Sequence, residues 1–255
     1  LSKGRLILGL GVSGPQVVEG WYGRPFSKPL ARTREYISII RQVLAREGPV
    51  MNSGPHYPIP YPADAPGSWG LGKPLKPITH PLRSNIPIFL GAEGPKNVAL
   101  AAEVCDGWYP LFYSPFREEV YRDSIAGRPE GFEILCPVNI HVTDDLEAGR
   151  MEVKQNIALY VGGMGSRDRN FHNKLISRMG FGDAAKRIQD LYLDGQKTAA
   201  VAAVPDDLVD EVSLVGPKEM IRQRLAAWED SAVTGLLVWP KTTDDIATFA
   251  ELVLD

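Results

Sequence analysis

The sequence predicts an α/β fold built on a parallel sheet. Three features carry that reading. Short apolar runs alternate with stretches of helical period along the chain. Two of the runs, at 5–12 and 86–91, end in glycine, as buried parallel strands do before a tight turn. Two of the helical stretches open on proline, at Pro95 and Pro217. There the missing N–H costs nothing, because the first amides of a helix have no intrahelical partner.

RLILGLGV at 5–12 reads as the first strand, and SGPQVVEGWYGRPFSKP after it as a loop. A helix is expected from Leu30 to about Arg46, with Tyr36, Ile37, Ile40, Val43 and Leu44 on one face. Ten of the 21 prolines then fall between Pro49 and Pro87. That density excludes helix and central strand. The segment reads as an ordered excursion anchored by Tyr57, Tyr61, Trp69, Leu71 and Leu75. IPIFL at 86–90 is the second strand, and the glycine turn leads into a helix whose buried stripe is Val98, Ala101, Ala102 and Cys105. A third strand is expected near 107–112, followed by a short helix over 115–125. FEILCPVNIHV at 132–142 is the fourth, and Thr143 or Asp144 caps a helix running to about Val161. Helices over 171–179, 184–193 and 198–204 fill a long excursion from 162 to 206. Residues 213–215 are short and apolar, and the helix after Pro217 buries Met220, Ile221, Leu225 and Trp228. TGLLVW at 234–239 is the fifth strand. The closing helix, from about Thr243 to Leu254, turns Ile246, Phe249, Ala250 and Val253 inward. Five strands make an open sheet and do not close a β/α barrel.

The composition narrows the function. Of 255 residues, 44% are hydrophobic and 23% charged, ordinary for a globular domain with a substantial core. Lys+Arg 28 against Asp+Glu 31 leaves a net charge of −3. No basic excess points to nucleic acid or to an anionic membrane. Cys105 and Cys136 have no metal-ligand spacing, which argues against a zinc site and a disulfide scaffold and favours a reduced, cytoplasmic setting. The four histidines, His56, His80, His141 and His172, are scattered.

The sharpest chemical signal is the turn LGAEGPKN. The chain leaves a strand, passes Gly91 and Gly94, and enters a helix at Pro95. Free N–H groups and the helix dipole suit an oxyanion such as phosphate. The same glycines would equally make a bare β/α turn, and Glu93 opposes an anion unless its carboxylate points away. GLGVSGPQVVEGWYG is the second signal, because ligands of parallel α/β folds sit at the carboxyl ends of strands. It does not have the spacing of a dinucleotide fingerprint.

In RLILGLGVSGPQVVEGWYG, PLARTREYISIIRQVL, IPIFLGAEGPKNVALAAEVCDGW and VPDDLVDEVSLVGPKEMI the chain resembles the luciferase-like monooxygenase superfamily. Within it, the chain is similar to the coenzyme F420-dependent oxidoreductases of mycobacteria and related actinobacteria. The likeness covers nearly the whole chain. It rests on the blocks GAEGPKN…DGW and GLGVSGPQ…EGWYG taken together.

The resemblance implies a (β/α)8 TIM barrel in which the five strands match the fourth to the eighth. Residues 1–255 would then be one partial barrel, short of three N-terminal βα units, with a Pro-rich insertion at 49–87 and a helical insertion at 162–206. An unclosed barrel is expected to be poorly soluble or oligomeric when expressed alone. The resemblance further implies a flavin-type ring across the C-terminal mouth, its phosphate held at Gly91, Ala92, Glu93, Gly94, Lys96 and Asn97. Tyr109 and Phe112 would lie alongside, Ser13 and Gly14 would flank the ring, and Gln16, Glu19 and Trp21 would reach the substrate. No catalytic residue is assigned, since the family's histidine sits on early strands without a counterpart here, and no metal is expected. The implied activity is hydride transfer between reduced coenzyme F420 and a small organic substrate, in a protein that is a homodimer when complete. An FMN-dependent monooxygenase and a catalytically incompetent barrel fragment are the alternatives.

Overall fold

The computed structural model describes residues 2–254. Six parallel strands form its sheet: β1 (Leu8–Gly11), β2 (Ile88–Gly91), β3 (Gly107–Tyr109), β4 (Glu133–Val142), β5 (Leu214–Gly216) and β6 (Gly235–Pro240). β1, β2, β3 and β4 follow one another across the sheet, and β6 lies beyond β4. β4 is the longest. It pairs with β3 through Glu133 and Ile134, with β6 from Leu135 to Ile140, and with the short β5 from Ile140 to Val142. β5 is a sixth strand that the sequence reading did not count: three apolar residues, Leu214 to Gly216, are too few to show a period.

Helices flank the sheet. α1 (Pro15–Gly20) opens directly after β1, within what the sequence suggested was loop. α2 (Pro29–Ala45), α3 (Pro95–Val104) and α4 (Arg122–Ile125) follow, with a 3-10 segment at Pro115–Val120. α5 (Leu146–Ala158) is capped by the Asp145 carboxylate, which accepts from the Ala148 amide at 3.0 Å; neither Thr143 nor Asp144 is the cap. It passes into a π turn at Leu159–Gly163. α6 (Phe171–Ile176), α7 (Gly182–Leu193), α8 (Lys197–Ala202) and α9 (Asp206–Val212) precede β5, and α10 (Lys218–Glu229) and α11 (Thr243–Leu254) complete the chain.

Alternation along parallel strands assigns the two faces. Leu8, Leu10, Ile88, Leu90, Trp108, Ile134, Cys136, Val138 and Ile140 share one face, and those from Ile88 onward are buried. Val98, Ala101, Ala102 and Cys105 of α3 are buried as their spacing predicts. Trp108 is fully buried; its indole N–H donates to the Ala92 carbonyl at 2.7 Å, and Tyr113 and Tyr121 stack beside it 4.9 Å apart. The opposite face carries Gly9, Gly11, Gly91 and Gly107. At Gly107 the small residue is required, because a Cβ would fall 2.6 Å from the Phe89 ring and 2.7 Å from the Glu133 carbonyl.

Two expectations about packing are corrected. The Pro-rich segment climbs the outside of α2, but polar groups hold it. The Glu35 carboxylate accepts from the amides of His56 and Tyr57 and from Asn52, Gln42 exchanges two bonds with Met51, and Arg46 donates to the Pro77 carbonyl. Tyr61, Trp69, Leu71 and Leu75 are exposed, and only Tyr57 is partly covered. In α11, Ile246 and Val253 are about half exposed; Asp245 is buried instead, with Phe249 and Leu252 against the core. Positions 245, 249 and 252 are also helically spaced, so the helix is rotated from the expected phase by its buried acid.

Asp106 joins three elements. Its Oδ2 accepts from the first amide of β2, Ile88, at 2.8 Å and from Arg41 of α2 at 3.0 Å, where the chain passes from α3 to β3. Asp106→Ala leaves that amide without its acceptor and takes one of three from the Arg41 guanidinium, which also donates to Asn85 and the Val104 carbonyl. It should cost about 1–3 kcal/mol, measured by urea unfolding.

Candidate functional site

All six strands run the same way; the carboxyl ends of β1, β2 and β3 lie level at one edge, and β4 runs on past it to Val142. Gly11, Gly91 and Tyr109 stand side by side there, paired in register across β1, β2 and β3. Two of the three have no side chain, which leaves the bare face open to a flat ligand. Burial pushes the Tyr109 phenol up, and so does the nearby Cys136 thiol.

The turn after β2 leaves backbone donors free. Gly94 is the extended N-cap of α3 and Pro95 its first residue. The Asn97 and Val98 amides both turn back to the Gly94 carbonyl, at 2.8 and 3.0 Å. The Glu93, Gly94 and Lys96 amides have no acceptor among the described residues. The Asn97 Oδ1 is buried without a partner, and the space beside Gly94 is clear: a Cβ there would meet nothing within 4 Å. Free amides, a helix dipole and an open approach are what a phosphate needs. The residues present fit the phosphate of a flavin-type cofactor.

Glu93 is the residue of the turn that would oppose such an anion. Its carboxylate lies against Nδ1 of His172, at the start of α6, at 2.5 Å, with both side chains largely buried. The contact lacks the angles of a hydrogen bond. Arg178, just beyond α6, donates to the Glu93 carbonyl at 2.7 Å. The imidazole is boxed by the edges of Phe112 and Tyr160, with centroids 6.2 and 4.8 Å away. Phe112 holds φ at +56°, an unfavourable angle for a bulky side chain.

A second concavity opens beyond that edge, between the far end of β4 and α5. It has about 720 Å³ and is lined by Asn139 and His141 of β4, Trp239 of β6, Lys241 after it, and Gly149 and Glu152 of α5. Asn139 pairs with Trp239, so both lie on one face. His141 Nδ1 faces Asp245 Oδ2 at 3.4 Å, and Asp245 is 2% exposed. The Asp245 carboxylate also accepts from the Val142 and Thr242 amides, each at 2.7 Å. Burial works to raise the Asp245 pKa, but these two amides, the Thr242 hydroxyl and His141 outweigh it and hold the carboxyl below its ordinary range.

The structure thus gathers Gly91, Ala92, Glu93, Gly94, Lys96 and Asn97 in one turn, with Tyr109 in register beside Gly91 and Phe112 packed on the His172 that pairs with Glu93. Ser13 and Gly14 follow the end of β1. Gln16 and Glu19 lie on α1 and Trp21 at its end; Trp21 is 82% exposed, and Glu19 accepts from the Phe26 amide at 3.2 Å. None of the three lines the 720 Å³ concavity, or the smaller one of about 250 Å³ between Val18, Phe26, Arg32, Tyr36 and Tyr57. His172, Arg178, His141 and Asp245 escaped the sequence reading. The available signal was the N-x-H step at Asn139 and His141, which puts two polar groups on one face of an apolar strand.

A sequence model of the luciferase-like monooxygenase family matches residues 1–235. A protein of Mycobacterium tuberculosis that carries the name coenzyme F420-dependent oxidoreductase is 51% identical over 262 residues, spanning 99% of this chain and 75% of its own length. Among solved structures, the coenzyme F420-dependent tetrahydromethanopterin reductase of Methanopyrus kandleri superposes with a TM-score of 0.71 at 22% identity, over 99% of this chain and 73% of that one. An F420-dependent secondary alcohol dehydrogenase gives 0.67 at 14% identity, over 98% and 69%. Likeness at such identities speaks for the shared fold.

Two outcomes follow from these buried groups. His172→Ala empties the place of a largely buried ring packed against Glu93, Phe112 and Tyr160 and should destabilise the protein by about 1–3 kcal/mol, read by denaturant unfolding. Asp245 titrates lower folded than its unfolded value of about 3.9, so it contributes stability at neutral pH that is lost as the pH falls through that value. The Asp245→Asn protein should therefore show a flatter fall in melting temperature between neutral pH and about pH 2 than the wild type.

Proposed function

The chain belongs to the luciferase-like monooxygenase family, and we propose that it is a coenzyme F420-dependent oxidoreductase acting on a small organic substrate. The observation that carries this is the anion turn at Ala92–Asn97, with its free amides, open Gly94 and unpartnered Asn97 Oδ1. The 51% identical relative supports F420 over FMN. When bound, a reduced deazaflavin supplies a hydride; the protein's part is to hold it, orient it and keep water out.

In this reading, the amides of Glu93, Gly94 and Lys96, the Lys96 ammonium and Asn97 hold the cofactor phosphate. Gly11 and Gly91 give the ring a bare stretch of sheet, with Tyr109 on one side and Ser13 and Gly14 on the other. Glu93 turns its side chain to α6, against His172. Gln16, Glu19 and Trp21 remain candidates for the substrate side.

Gly94→Val tests the turn cleanly. The φ of Gly94 is −73°, and a side chain there meets no protein atom within 4 Å. Stability should change by only about 1 kcal/mol, while the added methyls occupy the approach to the free amides. F420 affinity, followed by fluorescence titration, should fall at least tenfold. Unchanged affinity refutes the assignment of the turn. Tight FMN binding without F420 binding by the wild type would make the protein an FMN-dependent member of the family.

A further inference from the structure

We propose that the cavity between α1, α2 and the Pro-rich segment is a binding site for a short amphipathic carboxylate. Arg32 receives the acid group, and the hydrocarbon lies among Leu10, Val18, Phe26 and Leu90. The site goes beyond the hydride-transfer reading and does not depend on it. Three observations carry it.

The first is the cavity. It has about 250 Å³ and lies on the face of the sheet that carries Leu10 and Leu90, opposite the bare glycine face given to the cofactor ring. Those two leucines, Val18 of α1 and Phe26 of the loop before α2 make its apolar walls. Arg32 and Tyr36, one turn apart on α2, close another side together with Tyr57 of the Pro-rich segment. Drug-sized sites begin at roughly 300 Å³, so this one suits a molecule of a few carbons. The second is the charge. Of the three arginines in α2, Arg34 pairs with Glu103 and Arg41 with Asp106. Arg32 meets no carboxylate among the described residues, and its two terminal nitrogens have no acceptor there. Neither Asp nor Glu is among the residues that line the cavity. The acids closest in sequence are occupied elsewhere: Glu19 accepts from the Phe26 amide, and Glu35 from the amides of His56 and Tyr57. The third is the mounting of the guanidinium. Its Nε donates to the Tyr57 hydroxyl at 3.3 Å, and its Cζ stands 5.2 Å from the centroid of that ring. Tyr57 is itself fixed, through its amide on Glu35 at 2.9 Å and its ring against Tyr36.

These features select one ligand chemistry. A planar guanidinium with both terminal nitrogens free takes a carboxylate through two parallel N–H···O bonds. Because phenol and ring already hold Arg32, little side-chain freedom is lost on binding. The apolar walls take the hydrocarbon out of water and exclude water from the ion pair. An alcohol of the same length gives up the charge-assisted bonds, and an ammonium meets a like charge.

The test titrates the full chain with butanoate, hexanoate, hexanol and hexylammonium by calorimetry at constant ionic strength. Hexanoate should bind at least tenfold more tightly than hexanol or hexylammonium, and each methylene added to butanoate should tighten binding about fourfold. Hexanoate should also shift the ring resonances of Tyr36 and Tyr57, assigned from the Tyr36→Phe and Tyr57→Phe proteins. Arg32→Gln should weaken hexanoate at least tenfold and leave hexanol unchanged. Gly94→Val, which alters the anion turn on the other side of the sheet, should bind hexanoate as the wild type does. No binding of millimolar hexanoate overturns the proposal, as do equal affinities for acid and alcohol in the wild type, a comparison that stands whatever the stability of the variants. Unchanged hexanoate affinity in Arg32→Gln, or tyrosine rings that do not shift, overturns it as well. Loss of hexanoate binding in Gly94→Val places the acid at the turn and overturns the assignment to this cavity.

Discussion

The pairing of β4 is the constraint on which the mouth of this sheet depends. A ten-residue strand that serves β3 at its start, β6 through its middle and β5 at its end fixes the position of every element after residue 106. Its carboxyl end is then closed by a side chain. Asp245 gives its carboxylate to the Val142 amide, which β4 presents at its last residue, and to the Thr242 amide at the turn into α11. One buried acid thus sets where β4 stops, how α11 is rotated, and which nitrogen of His141 points outward.

The turn after β2 leaves three amides free and also carries Glu93. The α5–α9 excursion comes down onto that residue: His172 lies against its carboxylate, with the ring between Phe112 and Tyr160, and Arg178 donates to its carbonyl. The helical excursion therefore fixes where the Glu93 side chain lies.

The parts of the fold that were legible in the sequence are those fixed locally. The α3 stripe, the proline starts, the glycine turn and the apolar runs at 86–91 and 132–142 each carry their signal within about ten residues. The parts that were not legible are decided across the chain. β5 is three residues long and is a strand because Ile140, His141 and Val142 lie beside it. The phase of α11 was read from its apolar residues, but a partner 104 positions away sets it, because burying Asp245 brings its bonds to β4. The Pro-rich strap was given apolar anchors because aromatics usually pack. Here its backbone groups found acceptors and donors on Glu35, Gln42 and Arg46, and the aromatics were left outside.

The same reasoning explains why the histidines looked uninformative. A histidine acquires its chemistry from the group that holds its other nitrogen, and for His141 and His172 that group lies far away in sequence. Glu93 is 79 residues from one, and Asp245 is 104 from the other. His172 lies against a buried carboxylate, with its ring packed between Phe112 and Tyr160. His141 keeps one nitrogen on a fixed carboxylate and lines an open concavity with the rest of its ring. Two residues of one type are thus divided, by burial and partner alone, into a packed wall of the fold and the lining of an open concavity.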